Sequence, residues 1–233
     1  MKYVVCVPDG CADEPVDELD GKTPLEVAAT PVLDALAARG EVGRAAVIPE
    51  GMAPGSDVGN MAIFGYDPAT YHTGRAPIEA AALGLKLRPD QLAYRCNLVT
   101  VGDDGGAGPI MVDFAGGHPS SEDAHVVIEA LQRELGGDGI EFNPGVEYRH
   151  ILVAPADWAD AECTPPHDLS DKPVVWPSGP AAPKVQQLMD ASRPIVGASN
   201  LRANQVWLWG QGFQPQMPSF SSLYGIDAAL NSA

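Results

Sequence analysis

Basic residues are scarce. The 233-residue chain carries 14 Lys and Arg against 31 Asp and Glu, a formal net charge of −17. Nucleic acid is held largely by cations that neutralise its phosphates, so this balance argues against it as a partner. It argues equally against an anionic membrane surface. An anionic small molecule remains admissible, because a few local arginines or a metal ion can invert the field inside a pocket. Paired cysteines are lacking as well. Cys6, Cys11, Cys96 and Cys163 form no C-x-x-C, and Cys6 and Cys11 read as small apolar fillers. No window approaches the ~18 apolar residues of a membrane span. The opening run MKYVVCVPDG is too short for a signal peptide and meets Asp9 at once. The expectation is a reduced, cytoplasmic protein. Internal repeats and low-complexity tracts are absent too.

Apolar residues are present in quantity, 45% of the chain. That is enough for the core of one large domain or two modest ones. The most informative stretch is PEGMAPGSDVGNMAIFGYDP, residues 49–68. A Gly/Pro segment runs into Ser56-Asp57, and Val58, Met61, Ala62 and Phe64 follow at nearly helical spacing. Ser56 is thus expected at the amino end of a helix. A serine there can cap, accepting an orphan backbone N–H. It can also sit among unpaired N–H groups at the positive end of the helix dipole, which favours a phosphoryl group. The local pattern leaves both readings open.

In chain order, YVVCVP (residues 3–8) reads as a buried parallel strand ending at Asp9-Gly10. Functional groups collect at such strand ends, so Asp9 is a candidate metal ligand or an ordinary loop residue. Thr23-Pro24 and Thr30-Pro31 start helices, the second closed by Gly40, with Val32, Leu33, Leu36 and Ala37 as its apolar face. Val42 to Ile48 reads as a second strand, and a helix covers Pro77 to Leu85. Beyond Pro89 the composition shifts. Strands are expected at Tyr94–Val101, Gly108–Phe114 and Val146–Val153, joined by a turn over Asp103–Gly106 and a helix over Ser121–Leu135. The helix stripe is Val126, Val127, Ala130, Leu131 and Leu135, with Ser120 or Ser121 as cap. Pro155 to Pro183 reads as an irregular loop, and Val206–Trp209 as a last strand. The expected organisation is an α/β core begun by residues 1–89, an inserted α+β domain over 90–200, and a return to the core over 201–233.

Several long blocks carry a family resemblance: DG at 9–10, GKTPLEVAATPVLDALA at 21–37, PGSDV at 54–58, and GYDPATYHTGRAPIEAAALGL at 65–85. YRCNLVTV, VEYRHILV, PPHD and WLWGQG follow in order. On these the chain resembles the archaeal-type cofactor-independent phosphoglycerate mutases, members of the alkaline-phosphatase-like superfamily. The resemblance implies an α/β fold with a partial alkaline-phosphatase-like core. It implies an isomerase of glycolysis that moves a phosphoryl group between the 2- and 3-hydroxyls of glycerate through a phosphoserine. It makes Ser56 the nucleophile and a metal ligand, with Asp9 on the same metal. It further implies two divalent ions, Mn2+ or Mg2+ and possibly Zn2+ or Co2+, a phosphoglycerate substrate and no need of bisphosphoglycerate.

Substrate groups are expected from the insertion: Arg75, Arg95, His118, Arg149 and His150. An Arg fork grips carboxylate or phosphate with two bonds, but each arginine could equally serve a surface ion pair. Arg149 and His150 are adjacent on a strand and must point to opposite faces, so one of them is expected to line the site. His167-Asp168 reads as structural. The further Asp and His ligands of the family's metal pair have no counterpart here. The chain therefore reads as the amino-terminal portion of a longer enzyme, inactive alone. Two other readings stay open, a homoserine kinase-like phosphotransferase of the same superfamily and a catalytically dead binding module.

Overall fold

The structure, a computed structural model, describes residues 2–8, 10–103, 106 and 108–229. It divides into two compact units, Met1–Thr70 and Tyr71–Ala233.

The first unit holds short helices. α1 (Pro24–Val27) opens on a complete capping box: Thr23 Oγ1 accepts from Glu26 N–H, and Glu26 Oε2 accepts from Thr23 N–H. Pro24 occupies the first turn, where no N–H is needed. α2 (Pro31–Arg39) ends at Gly40. α3 (Ser56–Ile63) buries Val58 and Met61. α4 (Pro68–Tyr71) follows.

The two strands expected in this unit are not formed. Residues 3–8 and 42–48 enter no β-ladder among the described residues. Tyr3, Val4, Val5 and Val42 are exposed by 74, 91, 70 and 80%. A parallel strand takes its order from neighbours on both sides, and the described residues supply none. The apolar face of α2 is likewise exposed at Val32, Leu33 and Leu36.

The second unit is a five-stranded sheet between helical layers. α5 (Arg75–Ala82) precedes β1 (Gln91–Asp103), the 13-residue axis of the sheet. β2 (Pro109–Asp113), α6 (Ser121–Leu135), β3 (Glu141–Val146), β4 (Arg149–Pro155), α7 (Ala182–Gly197) and β5 (Gln205–Gly212) follow. The short helix α8 (Phe220–Tyr224) lies near the carboxyl end. β1 pairs antiparallel with β2, β4 and β5, and β4 with β3.

The alternation of β1 divides its side chains between two layers. Leu92, Tyr94, Cys96 and Leu98 join α6 and α7 in the main core, with Leu131, Met189 and Leu208. Ala93 meets Ala76 and Ala80 of α5, together with Ile151 and Val153. The small alanines bring α5 close to the sheet. At its start, Gly74 (φ 140°) and Gly212 pass so near that a Cβ on Gly74 would strike Gln211 O, and one on Gly212 would strike Thr73 O.

Several expected elements shift. Val146–Val153 is not one strand: the chain turns at Glu147-Tyr148 between β3 and β4. In α6 the buried positions are Ala124, Val127, Ile128 and Leu131, the i, i+3, i+4, i+7 set, while Val126 is exposed. Ser120 is its cap. α7 lies where no helix was expected, with Pro183 tolerated in its first turn and Pro194 inside it. β5, expected as a return to the core, is a strand of this sheet beside β1. α5 packs on the sheet through Ala76 and Ala80.

Candidate active site

Ser56 is exposed and is the first residue of α3, with Gly55 in the cap position (φ −154°, ψ 152°). It does not cap: its hydroxyl has no hydrogen-bond partner among the described residues. The helical spacing located the helix correctly but placed the cap one residue late. Asp9 lies outside the described residues. Among those described, no three His, Cys, Asp or Glu side chains converge to hold a metal ion.

The second unit builds a site of its own around β1 and β5. Arg95 of β1 is 5% exposed and sends Nε to Glu79 Oε2 at 2.8 Å. Arg75, one turn before Glu79 on α5, sends Nε to Oε1 at 3.0 Å. One carboxylate thus fixes two guanidinium groups. Both lie over the Trp209 ring, Arg95 at 4.4 Å and Arg75 at 5.7 Å, a favourable placement of cation on π-face. Trp209 is locked in turn by Nε1–H donation to Asn97 Oδ1 at 3.2 Å. Gly210 (φ 63°) leaves room beside both arginines: a Cβ there would be 3.5 Å from Arg75 Cβ and 3.8 Å from Arg95 Cδ.

Burial pulls the Arg95 guanidinium below its ordinary value. Glu79 opposes that shift, and Arg75 adds to it. Nε of each arginine faces Glu79. Two guanidinium groups brought together in this way suit a carboxylate or phosphate.

From Trp209 a row of rings leads to the other candidates. His167 meets Trp209 edge-on at 5.2 Å, Phe114 meets His167 and Tyr148 at 6.3 and 6.1 Å, and His118 meets Tyr148 at 5.4 Å. Arg149 lies 5.2 Å over Tyr148, and Glu147 stands between Arg149 (3.9 Å) and His118 Nδ1 (3.5 Å).

His118 leaves a loop bent through three successive positive-φ residues, Gly116, Gly117 and His118 itself (φ 51°). Asp113 holds the bend by accepting from Ala115 and Gly117 N–H. A non-glycine residue at φ 51° is strained, and such strain gathers at functional sites. A cavity of about 630 Å³ at the far end of β1, near Trp176 and Arg193, contains none of these residues.

Four of the five expected substrate residues, Arg75, Arg95, His118 and Arg149, therefore fall in one row. His150 does not. It is 2% exposed and points into the α6 layer, as strand alternation requires once Arg149 faces the row. Sequence reasoning missed Glu79, Trp209, Tyr148 and Glu147, and took His167 as structural. The i, i+4 pair Arg75 and Glu79 was a readable signal. The stacking on Trp209 was not, because it needs the register of β5 against β1.

The chain matches the family model described as 2,3-bisphosphoglycerate-independent phosphoglycerate mutase over residues 37–201. The chain belongs to this family. It is 44% identical to the mutase of that name from Methanosarcina acetivorans, over the whole chain and 61% of the relative. It is 41% identical to a protein named as a probable mutase of the same kind from Geobacter sulfurreducens, again across 61% of that protein. The chain thus spans about three fifths of the length of these curated relatives.

Among solved structures, the cofactor-independent phosphoglycerate mutase of Thermoplasma acidophilum is similar with a TM-score of 0.52 at 27% identity, over 91% of this chain and 59% of the other. A Pyrococcus horikoshii protein shares the fold at 24% identity, with a TM-score of 0.63 over 93% of this chain and 53% of that one. The α/β fold class is that of the family. Members of the family use divalent metals, and no helix of the described residues is long and apolar enough to cross a membrane.

Proposed function

We propose that the chain is the nucleophile-bearing and substrate-recognising part of a phosphoglycerate mutase. Ser56 Oγ takes the phosphoryl group from one hydroxyl of glycerate, breaking its P–O bond, and returns it to the other. The hydroxyl proton that Ser56 gives up is matched by the one the freed substrate oxygen takes, so the isomerisation balances. Divalent ions held there, Mn2+ or Mg2+ first among them, would stabilise the alkoxide. Asp9 and Ser56 contribute ligands, and bisphosphoglycerate is not needed.

One observation carries the substrate reading. Glu79 and Trp209 together hold the guanidinium groups of Arg75 and Arg95 on one ring and one carboxylate. Guanidinium pairs so held suit a small molecule bearing both carboxylate and phosphate. Arg149 and His118, at the other end of the row, supply a second polar contact.

The test is an assay of the longest product of this reading frame, with 3-phosphoglycerate and, separately, with homoserine plus ATP. Mutase turnover in the first, abolished in Ser56→Ala with the fold intact, is expected. Turnover only in the second assay would give the site to a kinase, and retained mutase activity in Ser56→Ala would sink the phosphoserine route.

A further inference from the structure

The turn between β3 and β4 carries Glu147, Tyr148 and Arg149 into the row of rings, and its own conformation is costly. Glu147 is left-handed at φ 53°, which an ordinary side chain adopts at a cost of ~1 kcal/mol or more. Gly145 approaches β4 so closely that a Cβ would collide with Arg149 O. Such a turn persists only where its surroundings fix it.

Three bonds do so. Gly145 N–H donates to His150 Nδ1 at 3.0 Å. Gly145 O lies 2.7 Å from His125 Nε2. Glu147 N–H donates to Ser121 Oγ at 3.0 Å. Ser121 and His125 belong to the first turns of α6, and His150 to β4.

These partners settle both tautomers. A carbonyl only accepts, so His125 carries its proton on Nε2. An amide N–H only donates, so His150 is bare at Nδ1, and its proton is on Nε2, which is buried with no acceptor among the described residues. A buried donor left unpaired is itself costly, so the Nδ1 bond is retained at the expense of the other nitrogen.

We propose that His125 and His150 are positioning residues that clamp the Gly145 peptide from both sides and so hold Glu147, Tyr148 and Arg149 in register with the substrate. The proposal rests on the substrate reading above for its last link only. The groups facing His150 are His125 from α6, with ring centroids 6.4 Å apart, Cys96, its register partner on β1, and the Glu147 backbone, which favours the protonated ring. Burial keeps the Cys96 thiol protonated. Arg149, its chain neighbour, lies on the opposite face. Burial first, and His125 second, pull the His150 imidazole down to about 3. The ring therefore stays uncharged throughout the neutral range.

The experiment uses conservative pairs. Asn places an acceptor near the position of Nδ1, and Gln an amide donor near that of Nε2. Amide hydrogen exchange of Gly145 and Glu147, and the Kd for 3-phosphoglycerate by calorimetry, are measured on this chain. His150→Leu is expected to speed both exchange rates and weaken binding by about tenfold, from loss of the buried hydrogen bond. His150→Asn should restore both to within about threefold, and His125→Leu with His125→Gln should repeat the pattern. Unchanged exchange at Gly145 in His150→Leu, or no rescue by Asn, overturns the clamp. If His150→Leu does not fold, the His125 pair decides by the same criteria. If the unmodified chain does not bind 3-phosphoglycerate, the substrate reading falls and the exchange rates alone decide the clamp.

Discussion

The two units treat similar apolar sequence in opposite ways. In the first, Val4, Val5, Val32 and Leu36 stand exposed by 91, 70, 74 and 59%. In the second, Leu92, Leu98, Leu131 and Leu208 are fully buried. Composition does not separate them, since both contain β-branched runs and amphipathic helices. The sheet does. β1 has partners on both sides and a helical layer on each face, whereas residues 3–8 and 42–48 have no ladder to join. Burial belongs to the assembled layers rather than to the hydrophobic segment.

The sharpest test of that contrast is a pair of leucines. Leu131→Ala should cost about 2–5 kcal/mol by opening a cavity in a closed core. Leu36→Ala should fall within about 0.5 kcal/mol, as surface changes do. Urea midpoints of the two variants measure the difference, and equal losses would erase it.

Next in size is Glu79→Ala. It leaves Arg95, 6% exposed in its side chain, without its partner, for an expected loss of about 3 kcal/mol. Glu79→Gln, which keeps one acceptor, should lose less, and thermal melts of the two variants give the order.

All five histidines lie in the second unit: His72, His118, His125, His150 and His167. The imidazole of His150 titrates at about 3 in the fold against 6.5 when free. Between those values the unfolded chain binds the extra proton. Stability, complete above about pH 6.5, is therefore lost as pH falls towards 3, by up to about 1.4 kcal/mol per pH unit. His150→Asn should flatten that limb in a pH series of denaturant midpoints.

The smallest effect belongs to the first unit. Thr23→Ala removes a capping box at an expected ~1 kcal/mol, read as faster amide exchange confined to residues 23–27.

Much of this molecule was legible in local pattern. The helix start at Thr23-Pro24, α6 with a cap at Ser120 or Ser121, and the strands around Tyr94 and Trp207 follow from short-range spacing. So does the opposition of Arg149 and His150, since alternation along a strand is strict. The remainder depends on pairing between distant segments. Neither Glu79 nor Trp209 advertises its role, because their partners are set by α5 packing on β1 and by the register Arg95↔Trp209. The β3–β4 turn was hidden for another reason. VEYRHILV alternates well enough to pass as one strand, and only the left-handed Glu147 breaks it. In the first unit, strand-like sequence was read correctly as apolar on both faces, but a strand is a relation between segments and not a property of one.

The neighbouring glycines at 74 and 212 have a kinetic meaning. They tie the start of α5 to the end of β5, across almost the full length of the second unit, so Arg75 and Arg95 gain their common floor only when Trp209 arrives. Contacts of such sequence separation form late, after shorter loops have closed. On a ribosome, which releases the chain amino end first, the β1–β4 pairing can form before residue 209 has emerged. The Arg75–Arg95–Trp209 cluster is then the last part of the unit to be assembled. Pulse-labelled exchange should find the β1–β4 amides protected before the Trp209 fluorescence reaches its final value, and simultaneous protection would show that the sheet closes in one step.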